Sequence, residues 1–467
     1  MSGLKWRLND LFETYSTVRG WTDEAKIIQF STSGPLPIPI LIEQLLMLVV
    51  GLVDTLMVSY AGEAAVSGVS LVNQINAVFL SVFAALAAGG AVVISQYIGR
   101  QEKRNAVLSA SQLIMLSLAI SIGVAIIILA FDEPILSVLF GRVEADVMSA
   151  CLIYLFITTL SLPAIAVYNA CSSILRSMSD TKTTMRVSMI MNMLNVVGNY
   201  LGIFVFQAGV AGVSIPSLVS RMIATAILLY VCSKKDRVVF YQFSDIFKYD
   251  PAMVKRIVHI AVPNGVEQGL LNLSKVALSS IVAMFGTVQI AANGIGQSFW
   301  SVSALFSLSM GPAFITVIGQ CIGAGDYQAA DYYFKKLSRI AYVECFIWNA
   351  VFTAMIPFIL TFYSLSPETT RLVIILCLIH NFFNFLMHPS AFALSSGLRA
   401  AGDVKYAMYV SILATFVVRG VFSIILGIWL QWGAIGVTFA MCFDWIFRAA
   451  FIELRYRSGK WKNFNVI

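Results

Sequence analysis

Residues 39–62 read PILIEQLLMLVVGLVDTLMVSYAG, and residues 263–286 read PNGVEQGLLNLSKVALSSIVAMFG. The first is an apolar run long enough to cross a bilayer as a helix, broken by two acids, Glu43 and Asp54, and closed by Gly62. The second keeps the Pro, the Glu-Gln pair and the closing Gly at the same spacing, an offset of 224 residues (39 to 263). Around these runs the 467-residue chain is 59% apolar and only 12% charged, with a mean hydropathy of +0.83. Soluble proteins carry about 25% charge, so no soluble core could hide this much apolar surface. The composition excludes secreted, nucleic-acid-binding and ordinary cytosolic enzyme classes, and an all-α integral membrane protein remains.

Apolar windows predict twelve transmembrane helices, near 35–60, 67–98, 107–131, 147–171, 187–206, 212–232, 257–284, 289–321, 338–363, 371–397, 407–430 and 434–454. Lysines and arginines gather on alternate loops. They lie between Lys5 and Lys26 and in the runs 100–104, 176–186, 234–256, 335–339, 399–405 and 455–462, against only Arg142 and Arg371 on the other side. This bias puts both termini in the cytoplasm of a multi-pass plasma-membrane protein. The expected organisation is a cytoplasmic segment 1–34, an N-lobe 35–232, a polar linker 233–256, a C-lobe 257–454 and a tail 455–467. The seven cysteines fall in apolar segments without CxxC spacing and read as small core residues. His259, His380 and His388 do not cluster, so no metal site is expected beyond a possible Na⁺ at Asp54. Walker motifs and nucleophile elbows are absent, and neither ATP drive nor enzymatic activity is expected.

The repeat continues beyond the opening stretch. Gln96 matches Gln320, Ile98-Gly99 matches Ile322-Gly323, and after a one-residue shift Leu175-Arg176 through Asp180 mirrors Leu398-Arg399 through Asp403. Six spans separate equivalent positions, so the fold is two six-helix lobes related by a parallel internal repeat, an architecture of secondary transporters. With Pro39-x3-Glu43-Gln44, Gly51-Leu-Val-Asp54-Thr55, Ala65-Val-Ser-Gly-Val-Ser, Gly319-Gln-x-Ile-Gly-Ala324, the two Leu-Arg-x3-Asp turns and Asp444-Trp445, the whole chain resembles the multidrug and toxic compound extrusion (MATE) transporters. The resemblance implies an antiporter that exports organic, cationic compounds in exchange for H⁺ or Na⁺, with no cofactor apart from the transported ion. Its partners would be a small-molecule substrate and the bilayer, with the chain a monomer and no nucleic acid. The alternative is a lipid-linked saccharide flippase of the same superfamily, which would line its cavity with several cations.

An ionisable side chain inside a span costs about 3 kcal/mol or more, so each is a functional candidate. Asp54 is the deepest acid of the N-lobe, and the resemblance makes the Asp of Val-Asp-Thr the ion-binding carboxylate; the plain alternative is an acid that caps or kinks its helix. Asn195 and Asn199 share a helix face at i,i+4. With Asn169 and Ser217 they form an expected ion-coupling set around Asp54, or else helix-to-helix glue. The family carries a carboxylate where this chain has Asn199, which favours protons over Na⁺. Glu43 and its repeat partner Glu267 are expected to give a substrate cavity a negative mouth, or to brace helix ends. Lys275, eight residues past Glu267, is a proton-linked group or a salt-bridge partner. Asn73, Asn76, Asn293 and Gln297 suit polar cavity walls, with Phe299, Trp300, Met310 and Phe382-Phe383 as apolar surface. Asp444 and Arg448, at i,i+4 with Arg419 on the preceding span, read as an internal ion pair of the C-lobe.

Overall fold

The computed structural model describes residues 37–467 apart from Arg142, Ser364 and Asn465. The expected 1–34 segment and the loop cation Arg142 lie outside the described residues. The chain divides into two compact units, Ile38–Gly265 and Val266–Ile467.

The first unit contains α1 (Pro37–Ser59), α2 (Glu63–Gly99), α3 (Lys103–Ala130), the short α4 (Asp132–Phe140), α5 (Ala145–Leu160), α6 (Leu162–Ser177), α7 (Thr181–Tyr200) and α8 (Ala211–Cys232). A π-helical turn, Leu201–Val205, extends α7. α5 and α6 are one span bent by 43° at Ser161. Pro163 follows at the start of α6, where its missing N–H costs least. The linker carries a one-turn helix, α9 (Phe243–Ile246), and is pinned to α3. Gln112 donates to the carbonyls of Asp245 and Lys248 at 2.9 and 2.7 Å and accepts from the amide of Asp250. The unit ends within α10 (Pro251–Ala283) rather than at its start. A side chain at Gly89 would come within 2.9 Å of the backbone at Ile257 and Ala261, so α2 and the beginning of α10 are packed backbone to backbone.

The second unit takes the rest of α10, then α11 (Thr287–Ser303), α12 (Leu305–Gly323), α13 (Tyr327–Leu360), α14 (Pro367–His388), α15 (Leu394–Ala400), α16 (Val404–Ile412), α17 (Gly420–Phe422) and α18 (Gly433–Arg457). α11 and α12, expected as one helix, are interrupted at Ala304. α14 and α15 are joined by a π-helical turn, Pro389–Ala393; proline at its head lacks the N–H that regular helix would use. π-helical turns at Leu413–Arg419 and Ser423–Trp429 flank α17. Among the described residues ten helices are long and apolar enough to cross a membrane, and the bent α5–α6 pair makes an eleventh. α10, diluted by Lys255, Arg256, Glu267 and Lys275, completes the twelve.

The backbone repeats as faithfully as the sequence. Among the described residues all the positive-φ positions except Gly459 come in pairs: Gly62 with Gly286, Gln101 with Gly325, Ser179 with Gly402, Gln207 with Gln431, Gly209 with Gly433. Gly62 and Gly286, at φ 107° and 89°, open α2 and α11 in a conformation that L side chains rarely adopt. The one-residue shift has a physical seat. Thr181–Val205 has 25 residues and Val404–Trp429 has 26, and the extra π-helical turn that ends at Arg419 takes up the additional residue.

Candidate functional site

Each lobe has an internal cavity, and each also has a buried arginine–glutamate pair. In the first lobe Glu43, buried on α1, accepts a bond from Arg176 Nη2 at 2.7 Å. In the second, Glu267 accepts one from Arg399 at 2.6 Å and lies 3.5 Å from Arg448. The two Leu-Arg-x3-Asp turns therefore do the same job twice: the Arg locks the acid of its lobe's first helix. Glu43 and Glu267 are not free charges at a mouth. Each is held by its own arginine, and bending either helix away would strand a buried charge.

The first-lobe cavity, about 480 Å³, is bordered by Glu43, Asp54, Asn73, Asn169, Asn195 and Ser217, and also by Arg176 and Arg221. Along its wall a chain of hydrogen bonds crosses three helices, through Asn199 buried behind the lining. Asn199 Nδ2 donates to Asp54 Oδ1 at 2.6 Å and to Asn195 Oδ1 at 3.3 Å. Asn195 Nδ2 donates to Ser217 Oγ at 2.8 Å, whose own proton goes to the Val213 carbonyl. The sequence-derived set of Asp54, Asn195, Asn199 and Ser217 is thus brought together, with Asn169 on the same cavity wall. Asn199 turns its NH₂, not its oxygen, to the carboxylate, and its own Oδ1 is buried without a partner. Among the described residues no three His, Cys, Asp or Glu side chains gather as a metal site. Asn76 is drawn away to Thr158 at 3.2 Å, whereas Asn73 accepts from the Tyr154 hydroxyl at 3.2 Å on the cavity wall. Arg221 on α8 borders the cavity and donates to Ser161 at the α5–α6 bend. Its role is not evident from one-dimensional spacing, because the partner it reaches lies 60 residues away in the chain.

The second-lobe cavity, about 350 Å³, has a different lining: Lys275, Asn293, Gln297, Trp300 and Arg419 among polar and apolar wall residues. Lys275 Nζ sits 5.8 Å over the Trp300 ring. Arg419 is buried, and its Nη2 donates to the Met441 sulfur at 2.9 Å. Asp444 pairs with Arg448 at 3.2 Å, as the i,i+4 spacing suggests, but Arg419 stands outside that pair. Glu344 on α13 is an intramembrane acid that the sequence reading passed over, with Oε2 buried and unpartnered. Its charge within an apolar run was the available signal.

These features sit on a known fold. The MatE family pattern matches residues 39–201 and again 263–425, reproducing the 224-residue offset. The uncharacterized transporter YisQ of Bacillus subtilis is 27% identical over 436 residues, covering 91% of this chain and 93% of that protein. The probable multidrug resistance protein NorM of Thermotoga maritima is 26% identical over 434 residues, covering 91% and 92%. A solved outward-facing multidrug resistance MATE transporter of the MOP superfamily superposes with a TM-score of 0.85 at 20% identity, over 92% of this chain and 96% of that one. That likeness bears on the fold alone; the doubled family pattern covers well over half of the chain. This multi-pass membrane protein belongs to the MatE family, the multidrug and toxic compound extrusion transporters.

Proposed function

We propose that this chain is a secondary antiporter that exports small organic compounds, and that proton exchange at Asp54 drives it. The supporting observation is the Asn199–Asp54 bond of 2.6 Å, made by the acid that borders the first-lobe cavity. The amide spends a donor on the carboxylate. Na⁺ would need oxygen ligands there, and Asn199 replaces the second carboxylate that would have strengthened them. A proton needs none: it binds the carboxylate directly, cancels its charge, and loosens a hydrogen-bond chain that ties α1 to α7 and α8. Loading and unloading Asp54 would then bias how these helices pack, which is the coupling an antiporter requires. The basic loops favour an orientation with both termini in the cytoplasm. Glu43 and Glu267, each spent on an arginine, give no reason to choose cationic cargo.

Purified protein in liposomes tests this reading. Export of a fluorescent substrate is expected under a pH gradient with Na⁺ absent, and Asp54→Asn should abolish it while leaving the protein folded. Export that waits for Na⁺, or that survives in Asp54→Asn, overturns it.

A further inference from the structure

The second-lobe cavity is bordered by two cations that make no ion pair, Lys275 and Arg419. Arg419 feels the charge of Asp444, but that acid is bonded to Arg448. Among the described residues neither cation has a carboxylate within the 4.0 Å of an ion pair. No acid among the described residues lines the cavity: Glu267 is bonded to Arg399 and Arg448, Asp444 to Arg448, and Glu344 is not among the lining residues. Arg419 is only 6% exposed, its Nε has no partner, and a thioether is a poor acceptor for its Nη2. An unpaired guanidinium at membrane depth is costly and marks a visited site.

The remaining lining sorts by chemistry. Ser279, Ser298 and Ser301 give their hydroxyl protons to carbonyls of their own helices at 2.9, 3.1 and 3.0 Å, so they offer no donor. The donors left are the Lys275 ammonium, the Arg419 guanidinium, the amides of Asn293 and Gln297, and the buried, unpartnered Trp300 indole N–H. Aromatic surface lies beside them, with Trp300 stacked on Trp445 at 6.1 Å. Clustered donors, two positive charges and a flat apolar wall form a receptor for an anion carried on an aromatic body.

We propose that the second-lobe cavity binds the anionic group of an aromatic organic solute, carboxylate or sulfonate in kind, between Lys275 and Arg419. This deepens the export reading by giving the cargo a charge sign, and it rests on that reading only for the claim that the bound solute is transported.

Two dyes that share a xanthene body separate the possibilities: fluorescein, a dianion, and rhodamine 123, a cation. Anisotropy titrations of the purified full chain in detergent should show fluorescein binding. Its affinity should fall about tenfold or more in Lys275→Gln and in Arg419→Gln, and recover in Arg419→Lys. Rhodamine 123 should bind weakly and gain in Lys275→Gln. Tighter binding of rhodamine 123 than of fluorescein by wild type, or unchanged fluorescein affinity in Lys275→Gln, overturns the proposal. If Arg419→Gln fails to fold, Lys275→Gln decides alone, since that side chain is exposed. Stoichiometric displacement of fluorescein by phosphatidylglycerol would reassign the site to a lipid headgroup and also overturns it. Asp54→Asn keeps the two readings apart. Fluorescein binding should survive in it; loss of binding there counts against a separate second-lobe site, whereas persistent export there counts only against the coupling role.

Discussion

At three repeat-equivalent points the two lobes have unlike chemistry. Gly51 and Asp54 stand where the second lobe has Lys275 and Leu278, and Asn195 stands where it has Arg419, counted back from the loop pair Gln207 and Gln431. Even the contact is repeated: Asn195 reaches Ser217, and Arg419 reaches Met441, the residue 224 positions later. The first-lobe cavity balances Glu43 and Asp54 against Arg176 and Arg221, whereas the second-lobe cavity carries two cations and no acid. Duplication has preserved what the backbone needs, the glycine turns and the arginine locks. It has left free what the cavities bind. A charge-balanced cavity suits an ion that comes and goes; an uncompensated one needs a ligand of opposite sign.

The arginine locks are where the lobes should be most alike, and breaking them should give the largest effects. Removing one partner of a buried pair typically costs about 3–5 kcal/mol, because it strands the other charge. Glu43→Ala and Glu267→Ala should both lower thermal stability in detergent by that order. Glu267→Ala should be the worse, since it strands Arg399 and Arg448 together. Equal losses would mean that Arg448 is satisfied by Asp444, Ser411 and Thr415 alone.

The next test concerns backbone rather than charge. A Cβ at Gly212 would lie 2.6 Å from the Gly202 carbonyl oxygen, and one at Gly436 would lie 2.6 Å from the Leu426 backbone. Neither neighbour can swing aside, because each is main chain. Gly212→Ala and Gly436→Ala should therefore destabilise by similar amounts, about 1–3 kcal/mol for overpacking. A tolerated substitution in one lobe only would show that the helix crossing is close in just the other.

The duplication was legible because Pro39, Glu43-Gln44 and Gly62 recur without a gap, and charge-poor windows of span length leave little else for the chain to be. The locks were half legible. Arg176 and Arg399 recur beside Asp180 and Asp403, yet nothing in spacing reveals that they reach acids 133 and 132 residues away. Asp54, Asn195 and Asn199 could be grouped because a carboxylate and amides at i,i+4 inside apolar runs have few other uses. Arg419 could not be assigned from spacing. It ends a π-helical turn, which rotates its face relative to regular helix, and spacing along one span says nothing of which residues of the next span it meets. Glu344 was readable and overlooked, as a single acid in a run with no repeat partner.

A smaller effect should distinguish the two equivalent contacts. Ser217→Ala removes the acceptor of Asn195 and should cost about 1 kcal/mol, the usual net worth of one hydrogen bond. It should also weaken gradient-driven export, since the chain to Asp54 loses its anchor. Met441→Leu keeps volume and should cost less than about 1.5 kcal/mol with no change in export driven through Asp54. If the two substitutions act alike on export, the first-lobe chain is not a coupling element and only packs the helices.

The smallest expected effect lies in the loop pair that follows the locks, at Asp180 and Asp403. Asp180 caps α7, accepting from Thr183 N and Oγ1 at 3.1 and 2.8 Å, and meets Arg237 at 2.6 Å. Partial burial works against its ionisation, but the Arg237 and Thr183 bonds outweigh it and hold the carboxyl below the usual carboxylate range. A carboxyl depressed in the folded state contributes stability above the unfolded value, near pH ~4, and that contribution drains away as pH falls below it. Solvent screening at this half-exposed loop keeps the amount under about 1 kcal/mol. Asp180→Asn retains a capping oxygen and loses only the charge, so it should lower stability slightly at neutral pH and flatten the loss seen on acidification below pH ~4. Asp403 makes no capping bond and is tied instead to Arg455, at 2.6 and 3.3 Å, so Asp403→Asn should loosen the end of α18 rather than the start of α16. Thermal melts of the three proteins across that pH range, with hydrogen exchange to locate the loosened helix, check both statements. An acid limb in Asp180→Asn as steep as that of the unsubstituted protein would mean that the cap, not its charge, is what the first lobe uses at this turn.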